Sequence, residues 1–112
     1  MTTNEKGNIA ESKVLTYFLE LGYEVYLPFG TATTNDMVVI KDNTTKRVSV
    51  KSTSSKSKSG KWEVRVRQIT HLGTTLFDNS KTDLLVVYII PENRIVVLEA
   101  KDIKAKTGIS VN

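Results

Sequence analysis

The sequence predicts an α/β (α+β) fold, in which a mixed β-sheet is flanked by helices and the elements follow the order α-β-β-β-β-α-β-β. Three patterns support this prediction. Apolar residues recur at helical spacing from Glu5 to Leu21, charged and apolar residues alternate from Lys61 to Arg67, and an unbroken apolar run extends from Leu84 to Ile90. The alternation is typical of a strand with one face in water, and the apolar run of a strand buried on both faces.

The first predicted helix covers Glu5 to Leu21. A threonine or asparagine at positions 2 to 4 can cap its amino end, and Gly22 is a stop signal just beyond it. Gly7 costs a helix about 1 kcal/mol relative to alanine. Either it allows a phosphate or another backbone to come close, or the helix begins only after it.

The remaining elements follow from local patterns and turn residues. Proline, glycine and asparagine separate the apolar segments. In chain order the sequence predicts a strand at Tyr23–Leu27, a hairpin with arms Asp36–Ile40 and Arg47–Lys51, a strand at Lys61–Arg67, a short helix at Gln68–Phe77, a buried strand at Leu84–Ile90, its partner at Arg94–Leu98 and a terminal helix at Lys101–Lys106.

Two charged residues lie in hairpin arms whose strand faces are suited to burial. Asp36 opens the first arm, and Lys51 ends the second, where it shares one face with Arg47 and Ser49. Burying a carboxylate and an ammonium group away from each other, or from a metal ion, would be costly. The pair is therefore a candidate for function, although a simple cross-strand contact worth ~0.2–1 kcal/mol is the plainer alternative.

A third charged residue belongs with this pair. Glu11 lies at the centre of the apolar arc of the first helix, whereas Glu20 lies on the opposite, wet side. A single glutamate at such a position can reach water or a lysine at the rim of the arc. Together with Asp36 and Lys51, it indicates a site built from two acids and a lysine.

Composition limits the classes of function. A chain of 112 residues is expected to form one domain, residues 1–112. Without cysteine, disulfides, thiolate zinc sites and cysteine nucleophiles are excluded, and the single histidine, His71, cannot form a cluster or catalytic pair alone. The net charge of +4 permits a polyanionic partner. The sequence shows neither a membrane-length apolar run nor a signal-like amino terminus, so we expect a cytoplasmic protein of a prokaryotic cell or phage-infected host.

These residues resemble the PD-(D/E)XK nuclease superfamily, which has a restriction endonuclease-like fold. The matching pattern is a helical Gly-x-x-x-Glu at Gly7 to Glu11, an aspartate that opens a strand at Asp36, and Ser49-Val50-Lys51 on the next strand. The text around them looks most like small intron-type homing endonucleases, and more distantly like archaeal Holliday-junction resolvases. The resemblance covers the first half of the chain well and the second half only in its element order.

The resemblance implies a catalytic set and a metal site. Glu11, Asp36, Ser49 and Lys51 would be the catalytic residues. Glu11, Asp36 and the backbone carbonyl of Val50 would hold Mg²⁺, with Mn²⁺ as a substitute, because both ions prefer oxygen ligands. The sequence departs from the family at Ser49, where Glu or Gln is expected. A hydroxyl is a shorter and weaker ligand, so the metal site is either softened or disabled.

Basic residues near this site suggest a nucleic-acid partner. A Ser/Lys/Gly stretch at Ser54–Gly60 cannot pack a core, and it is either a solvated linker or a loop that grips phosphates. The strand after it carries further cations on its wet face. The candidate DNA-binding residues are Lys56, Lys58, Lys61, Arg65 and Arg67.

Several functions remain open from the sequence. The first is a metal-dependent endonuclease acting on double-stranded or branched DNA, either homing-endonuclease-like or of the junction-resolvase type. The second is an inactive nuclease-fold protein that binds DNA or assists assembly, and the third is an unrelated structural protein. Coordinated cutting of two strands would call for a homo-oligomer, a dimer or tetramer, with Leu84–Leu98 and the surroundings of Trp62 as the expected interface.

Overall fold

The computed structural model describes residues 1–30, 33–70 and 72–112. One α-helix and nine strands form its regular structure in these ranges. They are α1 (Thr3–Glu20), β1 (Glu24–Tyr26), β2 (Met37–Lys41), β3 (Thr44–Thr53), β4 (Trp62–Arg65), β5 (Gln68–Thr70), β6 (Gly73–Thr75), β7 (Leu84–Ile89), β8 (Arg94–Glu99) and β9 (Gly108–Val111), with 3₁₀ turns at Ile90–Glu92 and Ala100–Asp102.

The central sheet is mixed, as the sequence predicts. Its strand order is β1-β2-β3-β7-β8, and only the β3–β7 pair is parallel. The β2–β3 hairpin places Met37 opposite Val48, and the parallel pair places Lys51 opposite Val87. Two separate two-stranded sheets, β4-β9 and β5-β6, lie outside the central one. The mixed α+β fold class is confirmed.

Helix α1 covers one face of the central sheet. Thr2 caps it in a reciprocal arrangement with Glu5, and Gly22 adopts a positive φ of 88° just beyond its end. Its buried residues Val14 and Phe18 pack against a core contributed by three strands. That core consists of Met37, Val39, Val48, Leu84 and Val86. The predicted apolar arc is therefore the packing face of the helix.

A second core covers the opposite face of β7, which explains why all six residues of that strand are buried. Trp62 and Val64 of β4 pack there with Val87, Ile89 and Val111. Only 6% of the Trp62 surface is exposed to solvent. Trp62 and β7, which form most of the predicted oligomer interface, are therefore buried within a single chain. Of the predicted segment Leu84–Leu98, strand β8 is still exposed enough to contact another subunit, with Val97 39% exposed.

Two of the predicted helices are wrong. Within Gln68–Phe77 the chain forms the β5–β6 hairpin, and His71 lies outside the described residues. Gly73 has a φ of 122°, which a helix does not accommodate. In place of a helix at Lys101–Lys106 there is a 3₁₀ turn, Ala100–Asp102, followed by a strand that the sequence patterns missed. That strand, β9, pairs with β4 and helps to bury Trp62.

Among the described residues, no helix combines the length and the apolar character needed to cross a membrane.

Candidate active site

The two acids and the lysine singled out from the sequence line one open cavity of about 790 Å³. Glu11 reaches it from α1, Asp36 from the residue before β2, and Val50 and Lys51 from β3. These residues are distant in sequence, and the packing of α1 against the β2–β3 hairpin brings them together. The structure therefore gathers Glu11, Asp36, Val50 and Lys51 at one place.

Asp36 is held by the backbone of the neighbouring strand. Its N–H donates to the carbonyl of Val48 at 2.8 Å, which continues the β2–β3 ladder by one residue. Its carboxylate oxygen Oδ2 accepts a hydrogen bond from the N–H of Val50 at 2.7 Å. One carboxylate oxygen is thus fixed against β3. The orientation of the side chain is set before any ligand binds.

The charged groups in the cavity are partly removed from water and affect one another's pKa. Burial raises the pKa of Asp36, although the Val50 N–H and the positive charge of Lys51 oppose the shift. Burial also raises the pKa of Glu11, and the charge of Asp36 and a hydrogen bond between the two carboxyls add to it. Burial lowers the pKa of Lys51, opposed by Asp36. Such mutually perturbed groups in a cleft are typical of functional sites.

Asp36 and Lys51 do not form the simple salt bridge that was the plainer alternative. In the described part of the chain, the ion pairs within 4.0 Å join Arg47 to Asp83 and Arg94 to Glu92. The positive charge of Lys51 acts to lower the pKa of Asp36, although the two groups do not form an ion pair within 4.0 Å. This leaves both groups able to contact a ligand in the cavity.

Ser49 does not line the large cavity. Its side chain is 6% exposed. The hydroxyl lies 3.1 Å from the carbonyl of Thr34 and 3.3 Å from the hydroxyl of Thr82, and 3.4 Å from the amide oxygen of Asn35. These contacts tie β3 to the loop before β2. Ser49 does line a smaller adjoining cavity of about 130 Å³, which Asp36 and Lys51 share.

The candidate DNA-binding residues divide into two groups. Arg65 and Arg67 line the large cavity, at and just after the end of β4. Lys56, Lys58 and Lys61 are exposed and lie in the turn between β3 and β4, outside its wall. The ammonium group of Lys56 lies 5.2 Å from the ring centroid of Trp62, within cation–π range. The turn lies beside the cavity, because the serines that begin it, Ser54 and Ser55, line the wall.

Several wall residues were not singled out from the sequence. Thr3 and Lys6 line the cavity from the first turns of α1, beside Gly7 of the sequence motif. Counting back from Glu11 at helical spacing leads to Gly7 and toward Thr3, but not to Lys6. Gln68 lines the smaller cavity beside Ser49. No sequence signal pointed to it, because its position depends on the unpredicted β5–β6 hairpin.

The donor atoms suit a hard divalent cation. The site offers the carboxylates of Glu11 and Asp36, and both supply oxygen ligands. In the described residues there is no cluster of three or more His, Cys, Asp or Glu side chains. Burial and the charge of Asp36 raise the pKa of Glu11, and a cation between the two carboxylates would favour the ionised form of both. The two carboxylates therefore fit a divalent cation that prefers oxygen ligands.

A helix-borne glutamate, a strand-opening aspartate and a lysine on the paired strand, set on a mixed sheet, are the arrangement expected of a nuclease. The family comparison agrees. Residues 1–112 match the model of a family described as PD-(D/E)XK endonuclease, and the chain belongs to this family. Nucleases of this superfamily generally use divalent metal ions.

The fold is also that of a solved nuclease. The chain is similar to a bacterial homing endonuclease, I-Ssp6803I, with a TM-score of 0.85 and 22% sequence identity, over 100% of this chain and 79% of the other. At that identity the likeness shows the fold alone. No curated protein matches the sequence. Family membership and fold together support a DNA endonuclease.

Proposed function

We propose that this protein is a metal-dependent DNA endonuclease that hydrolyses phosphodiester bonds in the manner of a homing endonuclease. The observation that carries the proposal is the meeting of Glu11, Asp36 and Lys51 in one open cavity. None of the three side chains is in an ion pair within 4.0 Å in the described residues. The two carboxyls lie close enough for a hydrogen bond, so both are placed for one ligand between them.

Each residue has a distinct role in this proposal. Glu11, Asp36 and the Val50 carbonyl would hold Mg²⁺, or Mn²⁺ as its substitute. When bound, the ion would supply Lewis-acid activation of the phosphate and of the attacking water. Lys51, whose pKa burial lowers, would donate hydrogen bonds to that water or to the scissile phosphate. The Val50 N–H keeps the Asp36 carboxylate oriented throughout.

The substrate we propose is double-stranded or branched DNA. Arg65 and Arg67 bring positive charge to the cavity wall, and the lysines of the adjacent turn extend it. Such charges would contact phosphates irrespective of sequence. We further propose a homo-oligomer, a dimer or tetramer, because one subunit offers one such site and a double-strand cut needs two.

A second function is favoured by Ser49. Its hydroxyl is already engaged by Thr34 and Thr82 rather than turned to the acids. The position where the family pattern has a carboxylate or amide ligand therefore supplies neither. A protein that keeps the scaffold and binds DNA, or assists assembly, without cutting would show this arrangement.

Cleavage assays separate the two functions. We expect the wild-type protein to cut its DNA in Mg²⁺ or Mn²⁺ but not in EDTA, and Asp36→Ala and Lys51→Ala to abolish cutting while retaining DNA affinity. Asp102→Ala and Lys101→Ala, at exposed positions away from the cavity, are matched controls expected to cut normally. DNA binding without cleavage by the wild type in either metal would establish the inactive alternative. Normal turnover by Asp36→Ala would remove the assignment of the site.

A further inference from the structure

Arg67 contains a buried hydrogen-bond donor that the folded chain does not satisfy. Its guanidinium Nε is shielded from solvent, yet within the described ranges it has no acceptor. A guanidinium group has five N–H donors and no acceptor capacity. Leaving one of them buried and unpaired is costly, and native structures rarely do so without a functional reason. Because Arg67 also lines the large cavity, a ligand that enters the cavity and slightly displaces this side chain can supply the missing acceptor.

Hydrogen bonds and core packing hold the backbone at Arg67 in place, so the side chain starts from a fixed position. The N–H groups of Val66 and Arg67 both donate to the carbonyl of Thr107, at 3.0 and 3.3 Å. Val66 is 2% exposed and packs with Leu85 and Ile103. With Val66 anchored in the core on one side, Arg67 lies at the wall of the cavity that also contains Lys51.

The carboxylates in the same cavity do not pair with Arg67. Glu11, Asp36 and Glu63 all line its wall, yet none forms an ion pair with this guanidinium within 4.0 Å across residues 1–30, 33–70 and 72–112. The behaviour of Arg47 is different, since it places two guanidinium nitrogens against the Asp83 carboxylate at 3.0 and 3.2 Å. The guanidinium group of Arg67 is thus without an acidic partner in the described residues, and an anion bound in the cavity could take that place.

We propose that Arg67 binds the non-bridging oxygens of the phosphodiester group that lies beside Lys51, and so is a phosphate-binding residue of the reacting centre rather than a general contact to the DNA backbone. This inference rests on the proposed nuclease function for the identity of the anion. A guanidinium group matches two phosphate oxygens at once, which a lysine cannot do. Charge added to the phosphate during hydrolysis would strengthen the contact.

The first test compares cleavage rates at saturating DNA in a single turnover. Removing a donor to developing charge typically lowers a rate by about 10²–10³-fold, so Arg67→Gln should lose about that factor, and Arg67→Lys should recover only part of it. Lys101→Gln is the matched control, because Lys101 is an exposed cation that does not line the cavity. It should leave the rate at saturation within about threefold of wild type.

The second test needs no cleavage. The Nε–H resonance of Arg67 is followed by ¹H–¹⁵N NMR while a DNA duplex is added in EDTA. We expect it to shift and to exchange more slowly with water, and the Arg94 resonance, on the far strand β8, to stay in place. Should wild type cut DNA while the Arg67 resonance stays unchanged, or Arg67→Gln cut at the wild-type rate, the inference is overturned and the nuclease stands. Should wild type cut nothing, the nuclease proposal fails, and the resonance alone decides whether Arg67 binds phosphate.

Discussion

Replacing Glu11 with glutamine should stabilise the metal-free protein and abolish its cleavage. Burial and the charge of Asp36 together raise the pKa of Glu11, so the ionised form of Glu11 destabilises the fold. A neutral amide removes that repulsion and can donate a hydrogen bond to the Asp36 carboxylate. Because Glu11 is only half-buried, water screens much of the repulsion. We therefore expect the free energy of unfolding at neutral pH to rise by about 0.5–1 kcal/mol.

The pH dependence of stability follows from the sign of the shifts. The pKa of Glu11 and that of Asp36 are both raised, so the folded state binds these protons more tightly than the unfolded chain does. The penalty is fully present above the folded pKa values and absent below the unfolded ones. As pH falls from neutral through that window, the wild type should recover the lost stability. The advantage of Glu11→Gln should shrink over the same range.

Thermal unfolding with and without Mg²⁺ measures this prediction. At about 4 °C per kcal/mol for a domain of this size, Glu11→Gln should raise Tm by about 2–4 °C in EDTA. Mg²⁺ should raise the Tm of the wild type by binding the folded state, and raise that of the variant less. Glu20→Gln, at the exposed end of α1, is the matched control and should change neither value. A variant no more stable than wild type in EDTA, or one with an undiminished Mg²⁺ response, would refute the reasoning.

Three further results are expected. Ser49→Gln should raise the cleavage rate, because the longer amide can extend into the adjoining cavity of about 130 Å³ and supply the missing oxygen ligand; a flat or lower rate in folded protein would show that position 49 does not face the metal. Neutralising Lys56, Lys58 and Lys61 together should reduce the slope of log affinity against log salt by up to ~0.9 per lost phosphate contact, and an unchanged slope would leave that turn as a solvated linker. Light scattering at micromolar concentration should show a dimer or tetramer, whereas a monomer with and without DNA would limit the protein to nicking.

Local patterns in the sequence predicted the first helix and the hairpin, whereas the catalytic set of Glu11, Asp36 and Lys51 was predicted with the help of the family resemblance. Apolar residues at helical spacing around Val14 and Phe18 predict a helix face that packs against the sheet. Glu11 lies on that face, so its side chain is directed toward the sheet. The hairpin that begins at Asp36 and ends at Lys51 is short, so its pairing follows from the alternation of its own residues. These features depend on neighbours a few residues away, and for that reason one sequence was enough to predict them.

Tertiary structure alone decided the remainder. Strand β9 pairs with β4 and packs Val111 against Trp62, and the two segments are far apart in the chain. The direction of the Ser49 hydroxyl depends on Thr34 and Thr82, and the unsatisfied donor of Arg67 depends on which acids fail to reach it. Periodicity shows which face of a strand a residue occupies, but not which distant groups meet it there. Only the packing of the whole chain fixes those partners.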